Sequence, residues 1–207
     1  MNTPASEANI YLDGGFSNPV YESQDCFRTI MNAMARPGRI FAFEPKLVPP
    51  RPLSSRSATV LCTLCDADTT VHIDQSLAGA NAVISWLVFQ TGTEITTHEK
   101  QADFAFVPDP RNMPGLELFS TGTDEYPETS TTLIIEMESL EGGTALLLEG
   151  PGIKDVQRFA PKGLPDHFMA SWMSNRTLFP RGVDIIFVAP EGLSCLPRST
   201  NVMDPEK

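Results

Sequence analysis

A chain of 207 residues with 41% hydrophobic side chains is long enough to bury one ordinary core, which excludes disorder as the default state. Its 26 acidic and 15 basic residues give a net charge of -11. That balance argues against nucleic acid and anionic membrane, since both need concentrated Lys and Arg. No run approaches the ~18 apolar residues of a bilayer span, and Met1 to Asn18 carries no basic region followed by an apolar one. A cytoplasmic protein is therefore expected, folded as a single domain over 1–207 with a leader at 1–18 and a tail at 201–207.

Asn18-Pro19 reads as a helix start, with Asn as cap and Pro in the first turn. Phe27, Ile30, Met31 and Met34 follow at helical spacing and predict one apolar stripe, stopped by Pro37-Gly38. Arg39 to Glu44 alternates and predicts a strand. Pro45 to Ser55 holds four prolines and predicts a stiff surface loop. A short helix over Ser57 to Cys65 and a short strand at Val71 to Ile73 come next. Ala80 to Gln90 is a mostly apolar helix, closed by Gly92. Phe104 to Val107 predicts a strand, and Leu116 to Phe119 a helical turn. Thr131 to Glu138 is β-branched and alternating. With the Glu141-Gly142-Gly143 turn it predicts a hairpin with Ala145 to Glu149. Gly150 to Ile153 is a corner, and Asp166 to Asn175 a helix. Val183 to Val188 reads as a buried strand that Leu193 to Leu196 can pair with. Interleaved helices and strands predict an α/β domain, a mixed sheet with helices on both faces.

The chemistry-bearing residues are sparse. Cys62-x-x-Cys65 invites a redox or zinc reading. It sits in an apolar helix with no second Cys pair, so core thiols are the plainer reading and no metal site is assigned. Asp66, Asp68 and Asp74 could approach a divalent ion, but Asp66-Ala67-Asp68 reads as a cap and turn. His72, His98 and His167 share no ligand spacing. Gly150-x-Gly152 lacks the Lys-Ser/Thr of a P-loop. Ten of the 15 cations are Arg, and several sit beside Pro and Gly. Arg at a rigid turn suits phosphate or carboxylate recognition. Arg36, Arg181 and Arg198, with Ser120, Thr121 and Thr123 in a hydroxyl-rich turn, are the candidate substrate-binding set. Ion pairing with the many acids is the competing reading.

Five segments together carry a resemblance: Phe27-Arg28 to Pro37-Gly38, Ser120 to Thr123, Gly150 to Ile153, Phe179-Pro-Arg-Gly-Val-Asp184 and Pro197-Arg198-Ser-Thr200. In their order and spacing, with Leu61 to Asp66 and Ala160-Pro161 between, they resemble the H-subunit family of the bacterial carbon–phosphorus lyase system from about Asp25 to Thr200. The resemblance implies a fold similar to the large domain of pyridoxal-phosphate-dependent transferases, without the cofactor. It implies a homodimer that joins the G, I and J subunits in a core complex for phosphonate catabolism. With G, I and the L subunit, the family supports transfer of ribose triphosphate from ATP to a phosphonate, releasing adenine. Radical C–P cleavage belongs to the J subunit and its iron–sulfur cluster. An accessory role without catalytic residues or cofactors of its own is thus expected. The competing class is a phosphonate- or nucleotide-binding protein with residual activity at an Arg-lined pocket. A redox protein built on Cys62 and Cys65 is a third. Among the five lysines, Lys154 is the one to test for a Schiff base. The apolar helix Ala82 to Phe89 is a candidate partner surface, with plain core as its competing reading.

Overall fold

The computed structural model of the chain describes residues 13–74, 77 and 80–203. Most of the expected leader and the residues from Asp204 onward lie outside the described residues. The framework is a six-stranded sheet of β1 (Thr70–Ile73), β2 (Glu94–Thr96), β3 (Phe104–Val107), β4 (Thr132–Glu136), β7 (Asp184–Ala189) and β8 (Gly192–Leu196). Its strand order is 2-1-3-4-7-8. The first five strands in that order run parallel, and β8 closes the row antiparallel to β7. A second sheet holds β5 (Leu146–Glu149) between β6 (Gln157–Phe159) and β9 (Asn201–Met203), all antiparallel.

The large sheet is apolar on both sides, and alternation divides its side chains between two cores. Val71, Phe106, Ile134, Ile186, Val188, Leu193 and Cys195 face the first. Three helices cover that face: α1 (Pro19–Met34), α2 (Ser55–Leu64) and α3 (Asn81–Thr91). Ala105, Leu133, Ile135, Ile185, Phe187 and Leu196 face the second core. The small sheet and α4 (Phe168–Arg176) cover that side. Trp86 on α3 and Trp172 on α4 are fully buried, one in each core. Each such side chain contributes at least about 1.5–3 kcal/mol by leaving water. Their indole N–H groups are satisfied by the Asp13 and Thr200 carbonyls at 2.8 and 3.1 Å.

The α/β class and the helices on both faces are as expected. Five local expectations are corrected. The hairpin between Thr131 to Glu138 and Ala145 to Glu149 does not form. Both edges of β4 are taken by β3 and β7, so β5 pairs elsewhere, with β6 and β9. Arg39 to Glu44 joins neither ladder and makes a single bridge, Phe41 to Leu193. Asn201 to Met203, expected as tail, is β9. The apolar stripe of α1 splits: Cys26, Ile30 and Ala33 are buried, whereas Phe27 and Met31 face solvent. The proline-rich loop is also less superficial than expected, since Leu47 and Leu53 reach the core.

Candidate functional site at the carboxyl edge of the sheet

The sequence-selected arginines collect along the amino edge of the parallel strands, near the starts of β4 and β7. Each has a protein partner. Arg198 lies flat against Asp184, its Nε 3.1 Å from both carboxylate oxygens and its Nη2 2.5 Å from Oδ2. Its Nη1 donates to the Pro127 carbonyl at 2.6 Å, and its backbone N–H donates to Asp184 Oδ1. Both side chains are about five-sixths buried, at 16% and 17% exposure. Arg181 pairs with Asp124 at 2.9 Å on the surface. The Ser120 to Thr123 turn packs beside it through the Gly182 N–H and the Thr121 carbonyl, 2.9 Å apart. Its hydroxyls are engaged too: Ser120 Oγ donates to the Thr129 carbonyl, and Thr123 Oγ1 accepts from Tyr126 N–H. Arg36 is exposed at the end of α1 and donates to Asn32 Oδ1 at 2.7 Å. The structure thus joins Arg181, Arg198 and the hydroxyl turn, and sets Arg36 on a neighbouring corner.

The opposite edge is where an open α/β sheet builds its sites, in the crevice where successive connections leave in opposite directions. Here β1 continues over α3 to β2 on one side, while β3 continues to β4 on the other. One strand along from that switch, beyond the carboxyl ends of β3 and β4, lies a cavity of about 420 Å3, floored by Glu136, Met137 and Glu138 and walled by Asp109, Arg111 and Lys162. A second cavity of about 200 Å3 shares the same floor and reaches Ser54, Ser55 and Arg56 at the start of α2.

Glu136 is the chemical centre of this crevice. It is the last residue of β4, carried past its hydrophobic neighbours to the mouth of α2. Burial pushes its carboxyl above the ordinary Glu range, against the opposing pull of hydrogen bonds from Ser57 and Ser54. The Ser57 hydroxyl donates to it at 2.8 Å. Ser54 caps α2 by accepting from the Ser57 N–H at 3.1 Å. The surrounding charges are mostly paired. Lys162 meets Glu138 at 2.5 Å, and Arg111 grips Asp109 through Nε and Nη2. That grip holds the Asp109 carboxyl below its usual range. Glu191 is likewise lowered, first by the Ser139 hydroxyl and in smaller part by the Arg56 charge. Arg56 Nε is buried without a hydrogen-bond partner among the described residues. The crevice therefore offers one carboxyl whose proton affinity is raised by burial and one guanidinium with a spare donor.

None of these carboxyl-edge residues stood out in the sequence, because a lone Glu after a strand has no motif. The strand-end position of Glu136, followed by Met137-Glu138, was the available signal. The other sequence candidates fall as follows. Cys26, Cys62, Cys65 and Cys195 are free thiols in or against the core. Burial pushes Cys26 up to about 11 and Cys62 up to about 12. Asp66 makes the expected turn, accepting from Asp68 N–H at 3.0 Å. No group of three His, Cys, Asp or Glu is placed to hold a metal ion among the described residues. A pyridoxal phosphate site needs an available lysine beside a phosphate cradle. Lys162, the crevice lysine, is committed to Glu138, and Lys154 is exposed on the corner between β5 and β6. These residues do not fit that cofactor.

The molecule is thus an open α/β protein with a polar crevice at the carboxyl ends of its parallel strands. The profile of the bacterial phosphonate metabolism protein (PhnH) family matches residues 14–203. This chain belongs to that family. It is 44% identical over 197 residues to the alpha-D-ribose 1-methylphosphonate 5-triphosphate synthase subunit PhnH of Rhizobium meliloti (strain 1021), covering 95% of this chain and 98% of that one. It is 26% identical over 182 residues to the "Putative C-P lyase subunit protein HtxG" of Stutzerimonas stutzeri, covering 86% and 85%.

Proposed function

We propose that the chain is an accessory subunit of a ribose 1-phosphonate 5-triphosphate synthase, within the carbon–phosphorus lyase machinery of phosphonate catabolism. The observation that carries this reading is the end-to-end match to a synthase subunit, 44% identical over 95% of the chain. In this reading the subunit is cytoplasmic and forms homodimers by itself. In the complex it aligns G, I and J, and works with L in transferring ribose triphosphate from ATP. The charge arrangement supports an aligning role. At the amino edge Arg198 spends its donors on Asp184 and Arg181 is ion-paired with Asp124, and Lys162 and Arg111 are paired with Glu138 and Asp109 at the carboxyl edge. A kinship with the large domain of pyridoxal-phosphate transferases, cofactor lost, belongs to the same proposal. It is supported by the open sheet of five parallel strands with one antiparallel edge.

The test is co-expression with the other subunits of the system, with and without this chain, followed by native mass spectrometry and an assay of phosphonate-dependent adenine release from ATP. Incorporation in a fixed ratio, with loss of adenine release on omission, is expected. A free homodimer with activity persisting in its absence overturns the reading.

A second reading is favoured by the 420 Å3 cavity: a small-molecule site for a phosphonate or nucleotide. Calorimetry with ATP and methylphosphonate tests it. Binding lost in Arg56→Ala places the ligand at the carboxyl edge. Binding lost in Arg36→Ala or Arg181→Ala places it among Arg36, Arg181, Arg198, Ser120, Thr121 and Thr123.

A further inference from the structure

Five ion pairs are found among the described residues, and none involves Arg36, Arg39, Lys154 or Arg158. In a chain with 26 acids and 15 bases, four cations outside any ion pair on one corner, Arg36 held only to the neutral Asn32 amide, run against the average field. Two backbone segments bring them together. Ala35 to Arg39 leaves α1, and Gly150 to Phe159 joins β5 to β6. A Cβ at Gly152 would stand 2.1 Å from the Ala35 carbonyl oxygen, and one at Gly38 would stand 2.4 Å from the Leu148 side chain. The two segments therefore lie in direct contact. An open cavity of about 430 Å3 separates Arg39 from Arg158. Three acids stand beside them: Glu141 lines the same cavity, Asp155 follows Lys154, and Glu149 precedes Gly150.

The same corner carries exposed apolar surface. Phe27 and Met31 stand one turn apart on α1, and Ala35, one turn further at its C-cap, leads to Gly152. Phe27 is 47% exposed, Met31 54%, and Val156, just beyond the corner, 50%. Apolar side chains including Met, rimmed by Arg, are the composition of a protein–protein interface.

We infer that this corner, Phe27 to Arg39 with Gly152 to Arg158, is the docking surface for a partner protein that presents an apolar patch ringed by acidic side chains. The charge rules out the simplest other occupant. A second copy meeting it about a two-fold axis would set the same four cations against themselves. The inference rests on the chain being a subunit of a larger assembly.

The experiment compares incorporation of the wild type, Met31→Asp/Arg158→Glu, and Val48→Asp into the co-expressed complex. Val48 is 76% exposed and away from the corner, so it serves as the surface control. Circular dichroism and melting of each isolated variant check the fold. The expected result is an intact fold for all three. Incorporation should be normal for the control and about tenfold or more weaker for the double variant, and wild-type incorporation should fall as salt rises. Full incorporation of the double variant, beside a wild type that assembles, overturns the docking site while leaving the subunit role intact. A wild type that does not assemble overturns the subunit role itself. A double variant that assembles normally yet no longer self-associates assigns the corner to a second copy and also overturns the inference.

Discussion

Arg198 was selected in the sequence as a ligand-binding cation, and in the structure its guanidinium is engaged by Asp184. The fork on Asp184 is nearly closed to water, so removing one partner strands the other charge. Asp184→Ala should lower stability by about 3 kcal/mol, read as a shift in urea midpoint at unchanged slope. Arg181→Ala, which breaks a surface pair, should cost under about 1 kcal/mol. Glu136 behaves oppositely to the paired carboxylates. Its folded pKa lies above the ordinary 4.5, so the native state binds the proton more tightly than the unfolded chain. Its contribution is fully present below that ordinary value and is lost as pH rises through the raised one. Glu136→Gln should therefore flatten the fall in stability between mildly acidic and neutral pH, as measured by urea melts across that range. The thiols report on burial. With Cys62 near 12 and Cys26 near 11, the native protein should react only slowly with a thiol reagent at pH 8, and all four cysteines should react after unfolding.

At the scale of elements, glycine decides where segments can touch. Gly152 has φ of +83°, and its missing Cβ makes room for the Ala35 carbonyl. Gly152→Ala should destabilise by about 2 kcal/mol or more and loosen the contact between the end of α1 and the β5–β6 corner. Asn175 plays a similar bridging part through hydrogen bonds, binding both the N–H and the carbonyl of Val183, at 2.8 and 3.0 Å. Asn175→Ala should cost about 2–3 kcal/mol, again read from a urea midpoint. The elements legible in the sequence were those with local signals. Asn18-Pro19 marked α1, Gly92 closed α3, and the apolar run at Val183 with its short return marked β7 and β8. The elements missed were β2, β6 and β9, each three residues long, too short for any periodicity to show. The false hairpin had a sound turn and sound strands. What ruled it out was competition from β3 and β7 for the edges of β4, a tertiary fact that no local pattern carries. The site followed the same logic. Arg beside Pro and Gly is conspicuous in a sequence, yet the partners that neutralise Arg198 and Arg181 lie 14 and 57 positions away. Glu136 is inconspicuous, and only the packing of α2 against the end of β4 gives it a raised carboxyl.

For the whole molecule, the distribution of charge matters more than its sum. A net charge of -11 keeps the free subunit soluble and repels like-charged neighbours. Association with other proteins then depends on local complementarity, which the cationic corner at the end of α1 supplies. The two faces of the large sheet differ in kind. One is a layer of three helices, and the other is a small sheet with one helix. The crevice and the cationic corner share two segments of chain: Glu138 and Lys162 line the first, and Glu141 and Ala160, two or three residues away, line the cavity of the second.

The position of α1 has a consequence for synthesis. Its first sheet neighbour is β8: the Gly38 N–H donates to the Cys195 carbonyl, and Phe41 bridges Leu193. More than 150 residues of chain must be made between that helix and its strand. At ~5–20 residues per second this takes on the order of 10–30 s. Throughout that interval Cys26, Ile30 and Ala33 have only α2, where Cys26 meets the Thr59 carbonyl, and lack the part of their cover that β8 supplies. Nascent chains stalled near residue 180 should therefore be cut by protease within α1, and chains released at full length should resist. Of the described helices the first to be made is among the last to be secured, and until then it is the segment that a chaperone would hold.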